Sequence, residues 1–359
     1  MALFAWIDSG RGRQAKTIKR EEIILKRRIL MAVSVIILGS LSGIAQAQNI
    51  AASVAIYTGS LVAVPAYVAR DEGIYARHGL SVTLMDFRDA PAATAALFSG
   101  AIDLMSNSPG NMMLVNSRGK HLVNIIDNYP APVWSIVVGK KVATPNQGKG
   151  YPAMIRDLKG TTIGVPSIGS DGHNFARRFF RDAGLDPEKD VTFLAVGLGP
   201  DAVAAFKTGQ IDAVMAIEPV QTVLVAQGGR VILDLRTDKT LPEFASWTSS
   251  TYLTTEEHAD KNPEMMRRFQ ASQEEAIAFV RDLKNVDRVA AIWSKYNKSL
   301  SAEDMKTVLK RLHNAFNVNF NCKGTANVGK FQVENGLIKP DQVQSCEQLT
   351  WSGARKYMR

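Results

Sequence analysis

Two stretches of this sequence repeat one pattern: LFSGAIDLMSNSP at residues 97–109 and FKTGQIDAVMAIEP at residues 206–219. In both, a helix-like segment is followed by Ser-Gly or Thr-Gly, one variable residue, Ile-Asp and an apolar run that stops at proline. Glycine just past a helix is the usual left-handed helix end, and a short apolar run bounded by turn residues is typical of a buried strand. The repeat therefore predicts two equivalent helix–turn–strand units.

The sequence around each stretch extends the repeat to a whole lobe. Each unit alternates strand, helix, strand, helix and strand, and its first helix ends at Gly-Leu. The predicted strands are Ser53–Thr58, Leu80–Phe87 and Ile102–Met105 in the first unit, and Thr161–Pro166, Val191–Val196 and Ile211–Ile217 in the second. Strands that alternate with helices predict parallel pairing, so we expect an α/β protein of two similar lobes with open β-sheets.

Two further extended segments are expected to connect the lobes. Val133–Lys141 leaves the first lobe, and Trp247–Thr255 returns to it. Two such crossings form a hinge that lets lobes close on a ligand. Amphipathic helices follow the return, ending with Asn327–Gly336, and are expected on the outer face of the first lobe. The predicted boundaries are 48–138 and 247–359 for lobe 1, and 139–246 for lobe 2.

Residues 1–47 have the pattern of a secretory signal peptide. A basic stretch precedes the apolar run Ile29–Ala45, which ends at the small-x-small sequence Ala45-Gln46-Ala47, so cleavage is expected before Gln48. The apolar run has only 17 residues, which is short for a retained membrane anchor. This leader contains no cysteine that could carry a lipid. We therefore expect a periplasmic protein that is soluble after cleavage.

The charge of the chain comes partly from this leader. Residues 1–47 carry eight Lys/Arg and three Asp/Glu, which leaves 35 basic and 31 acidic residues, a net charge of +4, in the remainder. No basic run with interleaved aromatic residues is present. A nucleic-acid partner is therefore not expected.

The chain has two cysteines, Cys322 and Cys346. In an oxidising compartment, two cysteines 24 residues apart favour a disulfide, with two buried thiols as the alternative. The pair and the scattered histidines offer too few ligands for a metal site. Neither a metal nor a cofactor is predicted.

The candidate ligand site is expected where the strands of both lobes end, because open α/β sheets bind ligands beyond the carboxyl ends of their strands. Small and hydroxylic residues stand at these ends, and several precede helices whose free N–H groups attract anions. Ser60, Ser108 and Ser170 have plain helix capping as an alternative role. The predicted ligand-binding residues are Thr58, Ser60, Asn107 and Ser108 from the first lobe, and Ser167, Ser170, His173 and Glu218 from the second.

The charge of these loops bears on the solute. Glu218 and Asp171 stand at the same strand ends as the predicted ligand-binding residues. They would repel a bare anion, but they are compatible with a ligand that also carries an amine or N–H group. Tyr57, Tyr129 and Trp134 lie near strand ends, where they could stack on a ring or belong to the core.

Four motifs in this order resemble the nitrate/sulfonate/taurine-type family of periplasmic solute-binding proteins, which also contains binders of thiamine pyrimidine precursors. They are ARDEGIYARHGLSVTL at 69–84, SGAIDL at 99–104, LKGTTIGVP at 158–166 and FQVENGLIKPD at 331–341. The resemblance implies a type 2-like periplasmic-binding-protein fold. It also implies a monomer that binds a small organic anion or zwitterion and delivers it to the membrane permease and ATPase of an ABC transporter.

Enzymes on the same fold are the alternative. Desulfinases that resemble this family use a cysteine nucleophile in the cleft, whereas both cysteines here lie near the C-terminus. The related pyrimidine synthases depend on a lysine bound to pyridoxal phosphate and on a histidine that is consumed. His173 reaches a strand-end loop but has no evident triad partner. A binding protein without enzymatic activity is therefore expected.

Overall fold

The computed structural model describes residues 49–358, and its strands form two five-stranded sheets. The predicted signal peptide lies outside this range. Within it, no helix combines the length and the apolar character needed to cross a bilayer. The strands are β1 (Ile50–Tyr57), β2 (Leu80–Phe87), β3 (Leu104–Asn107), β4 (Leu122–Tyr129), β5 (Ser135–Val138), β6 (Thr162–Val165), β7 (Thr192–Ala195), β8 (Ala213–Ala216), β9 (Arg230–Asp234) and β10 (Ser250–Thr255).

The two sheets have the same topology. The strand order is β2-β1-β3-β10-β4 in the first sheet and β7-β6-β8-β5-β9 in the second. In each sheet three neighbours pair in parallel, and the fourth strand, β10 or β5, runs antiparallel to both of its neighbours. The chain therefore passes to the second sheet between β4 and β5 and returns between β9 and β10. The predicted two-lobe α/β architecture is confirmed.

Helices connect the parallel strands and cover the sheets, as parallel pairing requires. The C-terminal helices after β10 pack mainly on helices of the first lobe. The helices are α1 (Val64–Asp71), α2 (Ile74–Arg77), α3 (Ala90–Phe98), α4 (Pro109–Asn116), α5 (Asp171–Asp182), α6 (Pro200–Lys207), α7 (Val220–Ala226), α8 (Glu256–Lys261), α9 (Pro263–Arg281), α10 (Val286–Tyr296), α11 (Ala302–Leu312), α12 (Cys322–Glu334) and α13 (Cys346–Leu349).

The repeated Ile-Asp turns have the same structural role in both lobes. Asp103 Oδ2 accepts hydrogen bonds from the backbone N–H and from Oγ of Ser53, both at 2.7 Å. Asp212 Oδ2 accepts one from the backbone N–H of Thr162 at 2.8 Å. Ser53 lies in β1 and Thr162 begins β6, the central parallel strands of their sheets. Each carboxylate therefore ties a helix–turn segment to the neighbouring strand, which explains why these residues recur.

The last long helix lies elsewhere than the sequence suggested. Helix α12 begins at Cys322 rather than Asn327, and it does not lie only on the outer face of the first lobe. Its Phe331 packs against Phe175 of α5 and against Trp247, with ring centroids 4.9 and 5.8 Å apart. The aromatic surface of α12 has to be buried, and these rings from both lobes cover it. Helix α12 therefore bridges the two lobes beside the crossings.

The predicted disulfide is confirmed. Cys322 at the start of α12 bonds to Cys346 at the start of α13, with an Sγ–Sγ distance of 2.05 Å. The bond therefore attaches the bridging helix to the C-terminal segment.

Reducing this disulfide is expected to destabilise the protein by about 3 kcal/mol, because closing a loop of this length removes entropy from the unfolded chain. Melting curves with and without reductant measure the effect, and the double variant C322S/C346S serves as the control, since reductant should not change its melting temperature. Equal melting temperatures for the reduced and oxidised protein would contradict the expectation.

Candidate functional site

A cavity lies between the lobes, at the ends of strands from both sheets, with about 620 Å³ of space including its open mouth. Clefts between domains are frequent binding places for small molecules. Its apolar lining consists of Val62, Ala90, Val133, Trp134, Pro166, Leu198 and Ile217. Its polar lining consists of Tyr57, Asp89, Asn107, Ser108, Asn111, Ser167, Ser170, Asp171, Ser249 and Ser250.

Four of the eight predicted site residues line this cavity: Asn107, Ser108, Ser167 and Ser170. Ser108 Oγ accepts from the N–H of Asn111 at 3.0 Å and caps α4. Ser170 Oγ caps α5 and donates to the Ser167 carbonyl at 2.7 Å. The capping role considered for these two serines is therefore present, and it places the starts of both helices at the cleft. Direct ligand contact by these four residues stays a prediction.

Three buried hydroxyls in the cleft lack a hydrogen-bond partner among the described residues: Tyr57 OH, Ser167 Oγ and Ser249 Oγ. A buried polar group without a partner is costly, so it marks a place where a bound molecule can supply the missing hydrogen bond. Burial, together with the carboxylates of Asp171 and Asp89, raises the pKa of Tyr57, so this hydroxyl stays protonated.

Asp171 is the first residue of α5 and reaches across to α4. Its carboxylate lies close to Ser108, the residue that caps α4. Burial raises the pKa of Asp171, and the nearby Ser108 side chain offsets this only in part. Gly110 allows the close approach, because a Cβ there would stand 3.1 Å from Asp171 Oδ1 and 2.8 Å from Gln332 Nε2.

The other four predicted residues, Thr58, Ser60, His173 and Glu218, lie outside the cavity lining. Thr58 lines a neighbouring opening together with Arg88. Ser60 is buried, and its Oγ donates to the Tyr57 carbonyl at 2.9 Å. His173 Nδ1 accepts from the N–H of Gly169 at 3.0 Å. Ser60 and His173 therefore hydrogen-bond within their own loops, and ligand contact by Thr58, Ser60 and His173 stays a prediction.

Glu218 also has a different role. Its carboxylate is buried and forms ion pairs with Arg236, at 3.6 Å, and with Arg311 of α11. Its Oε2 accepts from Thr222 Oγ1 at 2.8 Å. A buried carboxylate must be paired, and these partners from distant parts of the chain satisfy it. Ligand contact by Glu218 stays a prediction, and these partners already engage its carboxylate.

The set of predicted site residues does not include several lining residues, among them Asp89, Asn111, Leu198 and Ser249. Asp89 ends the turn after β2, and Ser249 stands in the hydroxyl-rich return crossing, so strand-end position could have indicated both. Of the aromatic residues considered, Trp134 and Tyr57 line the cleft.

Two sheets of this order, joined by two crossings with a cleft between them, define the periplasmic-binding-protein fold. The periplasmic aliphatic sulphonate-binding protein of Escherichia coli shares this fold, with a TM-score of 0.64 and 24% identity over 85% of this chain and 98% of that one. The chain belongs to the NMT1-like family, which matches residues 53–294. The resemblance seen in the sequence is confirmed.

Curated relatives include both binding proteins and enzymes. A Brucella abortus (strain 2308) protein named as a binding protein is 31% identical over 264 residues, 71% of this chain and 74% of the relative. A Saccharomyces cerevisiae protein named 4-amino-5-hydroxymethyl-2-methylpyrimidine phosphate synthase is 24% identical over 306 residues, 80% of this chain and 84% of the relative.

Proposed function

We propose that this chain is the extracytoplasmic solute-binding component of an ABC importer and captures a small organic solute between its lobes. The observation that carries the proposal is a cleft whose lining comes from both lobes and includes three hydroxyls without a partner among the described residues. Relatives named for binding, including one named for aliphatic sulphonates, support it. A membrane permease and its ATPase are the proposed partners of a monomeric periplasmic protein.

The test is a thermal-shift screen of the mature protein against sulfonates, nitrate, taurine, aromatic acids and aminopyrimidines, followed by titration calorimetry. A solute at a hundred times its Kd stabilises the folded protein by about 2.7 kcal/mol. Leu198→Trp fills the cleft and should abolish the shift, whereas Leu283→Trp, at a residue 45% exposed, should leave it unchanged. Equal binding by both variants would place the solute elsewhere, and unchanged solute uptake in cells lacking the chain would contradict transport.

A synthase is the second candidate, because the yeast relative is named as one and aligns over most of this chain. The lysine and histidine on which such synthases depend have no counterpart in the described lining of the cleft, and His173, whose Nδ1 accepts from Gly169, does not line it. These contacts favour binding. A new product after incubation with a compound that stabilises the protein would instead support the enzyme.

A further inference from the structure

We infer that Asp171 is the specificity-determining residue of the cleft: it excludes bare anions and selects a small neutral or cationic molecule that presents an N–H donor. This inference rests on the proposed binding function and concerns the chemical class of the solute. It depends on the placement of Asp171 between two helix starts, on the charges around the cleft and on the unpartnered hydroxyls.

The starts of α4 and α5 meet at the cleft, and such helix ends favour an anion. Here the chain supplies that anion itself. Asp171 opens α5, and its carboxylate lies close to Gly110 and Ser108 at the start of α4. A sulfonate or nitrate approaching the same point would meet this carboxylate and be repelled by its charge.

The other charges near the cleft act in the same direction. Its lining contains a second carboxylate, Asp89, and no lysine or arginine among the residues described. Asp89 Oδ1 already accepts from the N–H of Ala92 at 3.0 Å, as the cap of α3. Arg88, the residue next to Asp89 in the sequence, lines the neighbouring opening. Its Nη2 atom lies 3.9 Å from Asp201 Oδ2. An anionic ligand would therefore enter without a counter-ion.

Two unpartnered hydroxyls show that the cleft is built for a polar molecule as well. Tyr57 is 8% exposed and Ser167 is 9% exposed, and neither hydroxyl has a partner in the described part of the chain. Both line the cavity with Asp171. A ligand that donates to the carboxylate and accepts from the Tyr57 hydroxyl would satisfy these groups together, while Trp134 and Leu198 cover its apolar body.

Asp171 is half-buried, which makes the donor important. Its pKa is raised because burial penalises the ionised form, and the nearby Ser108 side chain offsets this only in part. A ligand N–H would add a charge-assisted hydrogen bond, the stronger kind. The same carboxylate therefore attracts a donor and repels an anion.

The probes are benzamidine, benzamide and benzoate, which share one ring and differ in the group they present, together with ethanesulfonate and nitrate. We expect the wild-type protein, titrated at millimolar concentration by calorimetry or ligand-observed NMR, to bind benzamidine or benzamide in preference to benzoate. Asp171→Asn should weaken benzamidine binding by about tenfold or more, since a charge-assisted hydrogen bond becomes a neutral one. The same variant should bind benzoate. Asp201→Asn removes the same charge from a side chain that is 70% exposed. It should change neither the affinity for benzamidine nor that for benzoate.

Preferential binding of benzoate or ethanesulfonate by the wild-type protein would overturn the inference while leaving the proposed binding function intact. Binding of no probe of either class, with no solute found by the screen above, would count against the binding function itself. The comparison of wild-type affinities decides the matter even where Asp171→Asn does not fold.

Discussion

Phe175→Ala is expected to lower the free energy of unfolding by about 4 kcal/mol, within the range for removing a buried phenylalanine from a packed core. Phe175 is 1% exposed, and its ring centroid lies 5.4 Å from Phe244, 5.5 Å from Trp247 and 4.9 Å from Phe331. These rings come from α5, from residues 242–247 just before and at the start of the return crossing, and from α12. Truncation would therefore leave a cavity where both lobes meet the C-terminal helix.

Urea unfolding of the wild-type and variant proteins measures this effect. Phe98→Ala is the matched control, because Phe98 is 38% exposed and should cost about 1 kcal/mol or less. A similar loss for the two variants would mean that the aromatic cluster does not join the lobes as the structure shows.

Glu218→Ala is expected to destabilise the protein by about 3 kcal/mol, because removing one partner of a buried ion pair leaves the other charge uncompensated. The Glu218 side chain is fully buried, and that of Arg236 is 10% exposed. The loss should stay at the lower end of the usual range, since Asp234 still pairs with Arg236 at 2.7 Å. Thermal and urea unfolding at neutral pH are the measurements.

Arg311→Ala tests the exposed partner of Glu218 separately from its buried partner, Arg236. Arg311 contacts the same carboxylate, but its side chain is 52% exposed, so its loss should cost about 1 kcal/mol or less. Glu218→Ala should also leave the Asp171-dependent choice between benzamidine and benzoate unchanged, because Glu218 does not line the cleft. A change in that preference would restore Glu218 to the ligand site.

The lobes could be predicted because their signals are local. Glycines after helices, as at Gly79 and Gly184, adopt positive φ in the structure, as a helix end requires. Asp103 and Asp212 each accept a hydrogen bond from a strand about fifty residues away. The turn that presents each of them is nevertheless formed by adjacent residues. The strand ends followed from the same patterns, and so did the positions of Asn107, Ser108 and Ser167 in the cleft.

The direction of individual side chains at those ends could not be predicted. Ser60 and His173 stand at strand ends, but their side chains hydrogen-bond within their own loops. Glu218 follows β8 like a ligand-binding residue, yet Arg236 and Arg311 reach it from distant elements and neutralise it. Which carboxylate lines the cleft therefore depended on where the cations lie in three dimensions.

The sequence by itself determined the two equivalent α/β lobes, the crossings between them and the disulfide, because turns, periodicity and cysteine number are properties of neighbouring residues. Only the tertiary structure decided that α12 bridges the lobes and that Asp171, rather than Glu218, faces the cleft. The physical reason is that burying a charge is tolerated only where a partner is in reach, and partners are assigned by packing between segments far apart in the chain.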